Sequence, residues 1–137
     1  MTSINSYRDL RVWQIGMDLA EQVYAFTKTF PYHEMYGLAA QMQRAAVSIP
    51  SNIAEGHARR YRKEYLHHLS IAHGSLAELD TQIELAVRLK HLSSEPTLQI
   101  GKQLEALARQ LHSLRNALAS GHKSEGMVAK NSLTPNP

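Results

Sequence analysis

The stretch MYGLAAQMQRAAVSIPSNIAEG, Met35 to Gly56, decides how the rest of the chain is read. Leu38, Met42, Ala45, Ile49 and Ile53 recur at spacings of three and four and form one stripe of a helix. Ala39, Gln43, Ala46, Pro50 and Ala54 form a second stripe, mostly small and apolar. Only Gln41, Arg44, Ser48, Asn52 and Glu55 remain as a narrow polar stripe. A helix apolar around most of its circumference is buried on more than one side. In a small domain this predicts a core on one side and another copy of the chain on the other. Pro50 removes the hydrogen bond to the carbonyl of Ala46. The reading therefore predicts a kink near Pro50, or a break with Ser51 or Asn52 capping a new turn. Gly56 is placed to end the helix.

The same periodicity extends on both sides. Upstream, Leu10, Trp13, Met17, Ala20 and Tyr24 mark a helix from about Arg8 to Lys28, stopped by Pro31. Downstream, Tyr65, Leu69, Ala72, Leu76, Leu79, Ile83 and Ala86 mark a long helix from about Arg60 to Leu92. Gly74 in its middle reads as a point of close helix packing. Ser93-Ser94-Glu95-Pro96 combines a stop with a start, and a fourth helix follows from about Glu95 to Ala119. Its leucines, Leu104, Leu107, Leu111, Leu114 and Leu118, have near-coiled-coil spacing. Long helices joined by short connections predict an all-α, antiparallel, up-down-up-down four-helix bundle over residues 1–119. Residues 120–137 turn to Gly, Lys, Ser, Asn and Pro without periodicity and read as a disordered tail.

Composition narrows the chemistry. With no Cys among 137 residues, disulfides, thiolate metal sites and cysteine nucleophiles are excluded. No apolar run reaches the roughly 20 residues of a membrane span, and the first ten residues lack a signal-peptide pattern, so cytoplasm and no membrane partner are expected. The net charge of +3 is a weak pointer to nucleic acid, and its distribution matters more.

Ala45-Ala46-Val47-Ser48-Ile49-Pro50-Ser51-Asn52-Ile53-Ala54-Glu55-Gly56 resembles the central signature of the four-helix bundle proteins, also called 23S rRNA-intervening-sequence proteins. The likeness continues in Asp9-Leu10-Arg11-Val12-Trp13-Gln14 and in Phe30-Pro31-Tyr32-His33-Glu34-Met35-Tyr36-Gly37-Leu38. It continues again in Ala72-His73-Gly74-Ser75-Leu76-Ala77-Glu78-Leu79, and so spans about residues 7 to 118. The resemblance implies a four-helix bundle that assembles as a homopentamer. The family takes its name from reading frames within inserts of bacterial large-subunit rRNA genes, which locates a gene and assigns no activity. Members of a related group serve reverse transcriptases as nucleic-acid-binding accessory proteins. Some relatives carry a second Arg where this chain has Gln43, beside Arg44, so a basic surface there is weaker in this chain.

Two groups of residues stand out as candidate sites. Arg59-Arg60-Tyr61-Arg62-Lys63 places four of the 15 Lys and Arg residues within five positions. Arg and Lys suit phosphates, and Tyr61 suits stacking on an exposed base. The plain alternative is a solvated helix end. Cations are unfavourable at a helix N-terminus, so either Glu55 or Glu64 offsets them or an external anion does. Arg44, Ser48, Asn52 and Glu55, with Ser75 and Glu78 as partners, read as an internal polar network or an interface between subunits. Ligand contact is the other reading of the same stripe.

Catalysis finds no support. Glu64-Tyr65-Leu66-His67 is a single Glu-x-x-His, and a di-iron bundle needs two with further glutamates. His67 and His68 point to different faces and read, like the other histidines, as lone side chains. There is no nucleophile elbow and no phosphate-binding glycine loop. Trp13 and the tyrosines at helical spacing read as core. No catalytic, metal or cofactor site is expected. The sequence points to a non-enzymatic oligomeric module that binds RNA or another nucleic-acid-binding protein. A protein-only assembly or adaptor module is the alternative.

Overall fold

The computed structural model of the chain describes residues 6–120. Among these, every regular element is helical. The long helices are α1 (Arg11–Thr27), α2 (Leu38–His57), α3 (Arg62–Arg88) and α4 (Ser94–Ala119), with single 3₁₀ turns at Tyr7–Asp9 and Tyr32–Glu34. The expected tail from 120 onward lies outside the described residues, apart from Ser120.

Local chemistry sets the boundaries. The Oγ of Ser6 accepts a hydrogen bond from the N–H of Arg8 at 3.0 Å and holds the first 3₁₀ turn. Leu10 then takes an extended conformation and is buried, so α1 starts at Arg11, not at Arg8. α2 runs unbroken across Pro50 to His57, which removes the alternative of a break. α3 stops at Arg88, short of the expected Leu92. Lys90 adopts φ 65°, in the left-handed region. The N–H of His91 reaches the carbonyl of Ala86 at 2.9 Å, and that of Lys90 reaches Val87 at 3.0 Å. This is a Schellman cap with lysine where glycine is usual.

α2 packs on α1 and α3, and α4 packs on α3 and α1. The centre is built from Leu19, Met42, Ile49, Ile53, Leu69, Leu79, Ile100, Leu107 and Leu111, all without measurable exposure. This arrangement corrects the first reading of α2. Its two apolar stripes are both covered within the chain, since Ala39, Met42, Ala45, Ala46, Ile49, Pro50, Ile53 and Gly56 are all buried. A helix flanked by two others in one bundle needs no second copy to cover it. Val47 is the large apolar side chain that α2 leaves exposed, and others are exposed at Met17 and Tyr24 on α1, Ile71, Leu85 and Leu89 on or just after α3, and Leu98 on α4.

Three glycines show how close the helices come. A Cβ on Gly16 would sit 3.4 Å from both Ile49 and Pro50, so α1 meets α2 tightly there. A Cβ on Gly56 would fall 2.8 Å from the Cβ of His68 and 3.0 Å from Tyr65 Cδ1. Gly56 is therefore a packing residue inside α2 and not its terminator. Gly74 is the reverse case: it is exposed, with no atom within 4 Å of where its Cβ would stand, so it marks no close contact in the chain.

Candidate nucleic-acid interface and polar sites

The α2–α3 seam carries a chain of polar contacts. The Oγ of Ser75, buried on α3, donates to the Oγ of Ser48 at 2.8 Å. Asn52 Nδ2 donates to the Ser48 carbonyl at 2.9 Å and to its Oγ at 3.0 Å. Because the amide NH₂ is committed to that carbonyl, Oδ1 faces His68 Nδ1 at 3.0 Å. His68 therefore carries its proton on Nδ1 when neutral. Nδ1 also lies 4.0 Å from Glu55, whose other oxygen accepts from Arg59 at 2.8 Å. The structure thus joins Ser48, Asn52 and Ser75 directly and adds His68, which the sequence reading had set aside as a lone side chain. The apposition of Asn52 and His68 across two helices was the missing signal.

Arg44 and Glu78 behave differently. Both are exposed, and neither forms an ion pair with the other or with any described residue. They flank an open cleft of about 230 Å³ with Gln41, Ala45, Ser48 and Ser75. That volume falls below the roughly 300 Å³ at which small-molecule pockets begin, so the cleft is poorly suited to a buried substrate. Gln43, where some relatives carry arginine, donates instead to Thr27 Oγ1 at 3.0 Å and ties α2 to α1.

The basic run lies at the α2–α3 turn. Arg59 and Arg60 are exposed in the connection, Tyr61 is the N-cap of α3 and 61% exposed, and Arg62 and Lys63 open the helix. Glu55 offsets Arg59, as one of the two sequence alternatives required. Arg60, Arg62 and Lys63 form no ion pair among the described residues. Tyr61 supplies no side-chain cap to α3, and the first turn carries Glu64 beside Arg62 and Lys63. Behind them Tyr65 is buried against His57, and burial pushes its phenol pKa upward, so it stays protonated.

Of the aromatic residues read as core, Trp13 packs against Tyr7 at 5.4 Å between ring centres. Tyr65 is buried as read, whereas Tyr24, on the α1 stripe, is exposed, which corrects that reading for it.

A second cluster was invisible in the sequence. Glu34 Oε1 accepts from the N–H of Leu38 at 3.0 Å and caps α2, while Oε2 meets His91 Nε2 at 2.9 Å. These contacts, the helix N–H first, hold the Glu34 carboxyl below its ordinary pKa of 4.5. His33 stands beside them, its ring 6.1 Å from that of His91. Ligand atoms of His33, Glu34 and His91 all lie within 4.8 Å of one another. Glu34 and His91 are 57 positions apart, and the three residues lie on two different connections, so no spacing motif links them.

Four packed helices, with a polar seam between two of them and a basic turn, define a helical-bundle protein. The sequence signature of the 23S rRNA-intervening sequence proteins matches residues 8–113, and the chain belongs to that family. A crystal structure of a protein of unknown function from the S23 ribosomal protein family of Bacteroides thetaiotaomicron VPI-5482 is similar, with TM-score 0.71 at 21% identity. The match covers 77% of this chain and 95% of that one. At that identity the likeness concerns the fold. No curated protein matches the sequence significantly.

Proposed function

We propose that the chain is a non-enzymatic, cytoplasmic, self-associating bundle that holds RNA or a nucleic-acid-bound partner on its α2–α3 turn. One observation carries the proposal: Arg60, Arg62 and Lys63 flank exposed Tyr61 in sequence without ion-pair partners among the described residues, where α3 begins with no side-chain cap. Cations there are unfavourable for the helix alone and become favourable when a phosphate sits between them and the N–H groups. In an oligomer the turn repeats, and weak contacts gain avidity. Five copies is the number implied by the family resemblance. Exposed Ile71, Leu85, Leu89 and Leu98 supply apolar surface for self-association.

The proposed course of the chain is up-down-up-down with neighbours antiparallel. Contacts that rise in number on one helix fall on the next, as in Ser48 with Ser75, Asn52 with His68, and Gly56 with Tyr65, which supports it. A kink at Pro50 belongs to the same proposal and rests on the missing N–H.

Fluorescence-anisotropy titration of a structured RNA tests the function. Binding is expected to weaken in Arg60→Ala, Arg62→Ala and Lys63→Ala, and less in Arg59→Ala, whose charge Glu55 already offsets. Unchanged binding in all four overturns it. A protein-only adaptor is the second reading, favoured by Tyr32 and Tyr36, 80% and 88% exposed in the α1–α2 connection. That reading predicts indifference to polynucleotide. Light scattering at 15.4 kDa, the mass of one chain, contradicts self-association.

A further inference from the structure

The geometry points to a binding site for a divalent transition-metal ion of the zinc class, formed by His33, Glu34 and His91 where the α1–α2 and α3–α4 connections meet. Two imidazoles and one carboxylate are a donor set suited to such ions. Two ligands at zinc-like bond lengths stand about 3.0–3.4 Å apart. Glu34 Oε2 and His91 Nε2 are already 2.9 Å apart. His33 completes the set from within 4.8 Å, and as an exposed side chain it is free to close the remaining distance.

The surroundings hold the ligands in the way a metal site requires. Glu34 spends one oxygen on the N–H of Leu38 and turns the other to His91, as ligating carboxylates are commonly oriented by a second hydrogen bond. A Cβ on Gly37 would lie 2.8 Å from Glu34 Oε1, so glycine there leaves the space the carboxylate occupies. The His91 ring packs on buried Phe30 with centres 5.3 Å apart. His91 follows directly on Lys90, so the Schellman cap that ends α3 fixes the backbone from which His91 reaches Glu34. With three protein ligands the ion keeps a position for water, and it clamps together two connections 57 residues apart in sequence.

The test uses the full-length, untagged, metal-stripped protein with Zn²⁺ as the calorimetric probe and Co²⁺ as the spectroscopic one. The inference predicts one equivalent of Zn²⁺ per chain, a visible Co²⁺ absorption band, and a rise in melting temperature with added Zn²⁺. His33→Ala and His91→Ala each weaken Zn²⁺ by about tenfold or more, the scale of losing even a supporting residue, and abolish the band. His67→Ala, a change to an exposed histidine outside the cluster, leaves both unchanged. His33 is exposed and caps nothing, so that variant keeps its fold even if a Glu34 variant does not. Absence of a Zn²⁺ equivalent in the parent protein, or equal affinity in His33→Ala, overturns the site and leaves Glu34 and His91 as a helix cap and ion pair only.

Discussion

Replacing Gly56 by alanine puts a methyl group 2.8 Å from the Cβ of His68, 3.0 Å from Tyr65 Cδ1 and 3.3 Å from the Tyr65 carbonyl oxygen. Carbon atoms settle at about 3.5–4.0 Å, so the overlap with His68 is close to 1 Å. A Cβ is fixed to its backbone, and rotation of His68 gives no relief. α2 and α3 must move apart, which strains the hydrogen bonds from Ser75 to Ser48 and from His68 to Asn52. Overpacking of this kind costs about 1–3 kcal/mol. Alanine returns up to ~1 kcal/mol in helix propensity. The expected result is a net loss of up to about 2 kcal/mol, with a fall in melting temperature of about 4 °C for each kcal/mol in a chain of this size. Gly74→Ala is the internal control, because its methyl group meets nothing within 4 Å. It should gain about 0.5–1 kcal/mol from propensity alone. Both variants are read by urea unfolding at one protein concentration, with the slope against urea unchanged and only the midpoint displaced. Shifts in the same direction for the two variants refute the reasoning.

Three further predictions follow from single contacts. Lys90→Gly removes a side chain from the left-handed conformation and should raise stability by about 0.5–1 kcal/mol in the same urea assay, less than the full left-handed penalty because glycine also frees the unfolded chain. Ser48→Ala and Ser75→Ala should each cost about 1 kcal/mol, and the double variant less than their sum, since both break one bond. Glu34 has a folded pKa below 4.5, so its contribution is present above that value and is lost as pH falls through the lower folded value. Melting temperature measured from pH 5 downward should fall more steeply in the parent than in Glu34→Gln, and equal slopes contradict this.

Most of the fold was legible because it rests on apolar spacing, which a linear sequence displays. The stripes of Leu38 to Ile53 and Tyr65 to Ala86 are buried as read. Helix ends were less legible. Lys90 ends α3 in a conformation that lysine does not announce, and Gly56 resembles a terminator while serving a helix crossing. The surplus of apolar residues on α2 was real, but one chain covers it, because α2 lies between two helices. Of the candidate sites, the Ser48–Asn52–Ser75 network was visible as a stripe on each helix, whereas His68 needed the register between them. His33, Glu34 and His91 were hidden for a different reason. They meet only through the relative placement of two connections, which no local pattern encodes.

Whether the α2–α3 turn holds nucleic acid through Arg60, Arg62 and Lys63 is decided by the salt dependence of RNA affinity. Each phosphate neutralised contributes about −0.7 to the slope of log K against log salt for a single strand. A salt-dependent affinity is expected in the parent protein, with a slope shallower by about 2 in the triple alanine variant, three contacts at that value. Equal slopes in the two proteins, or no salt-dependent affinity in the parent, contradict it.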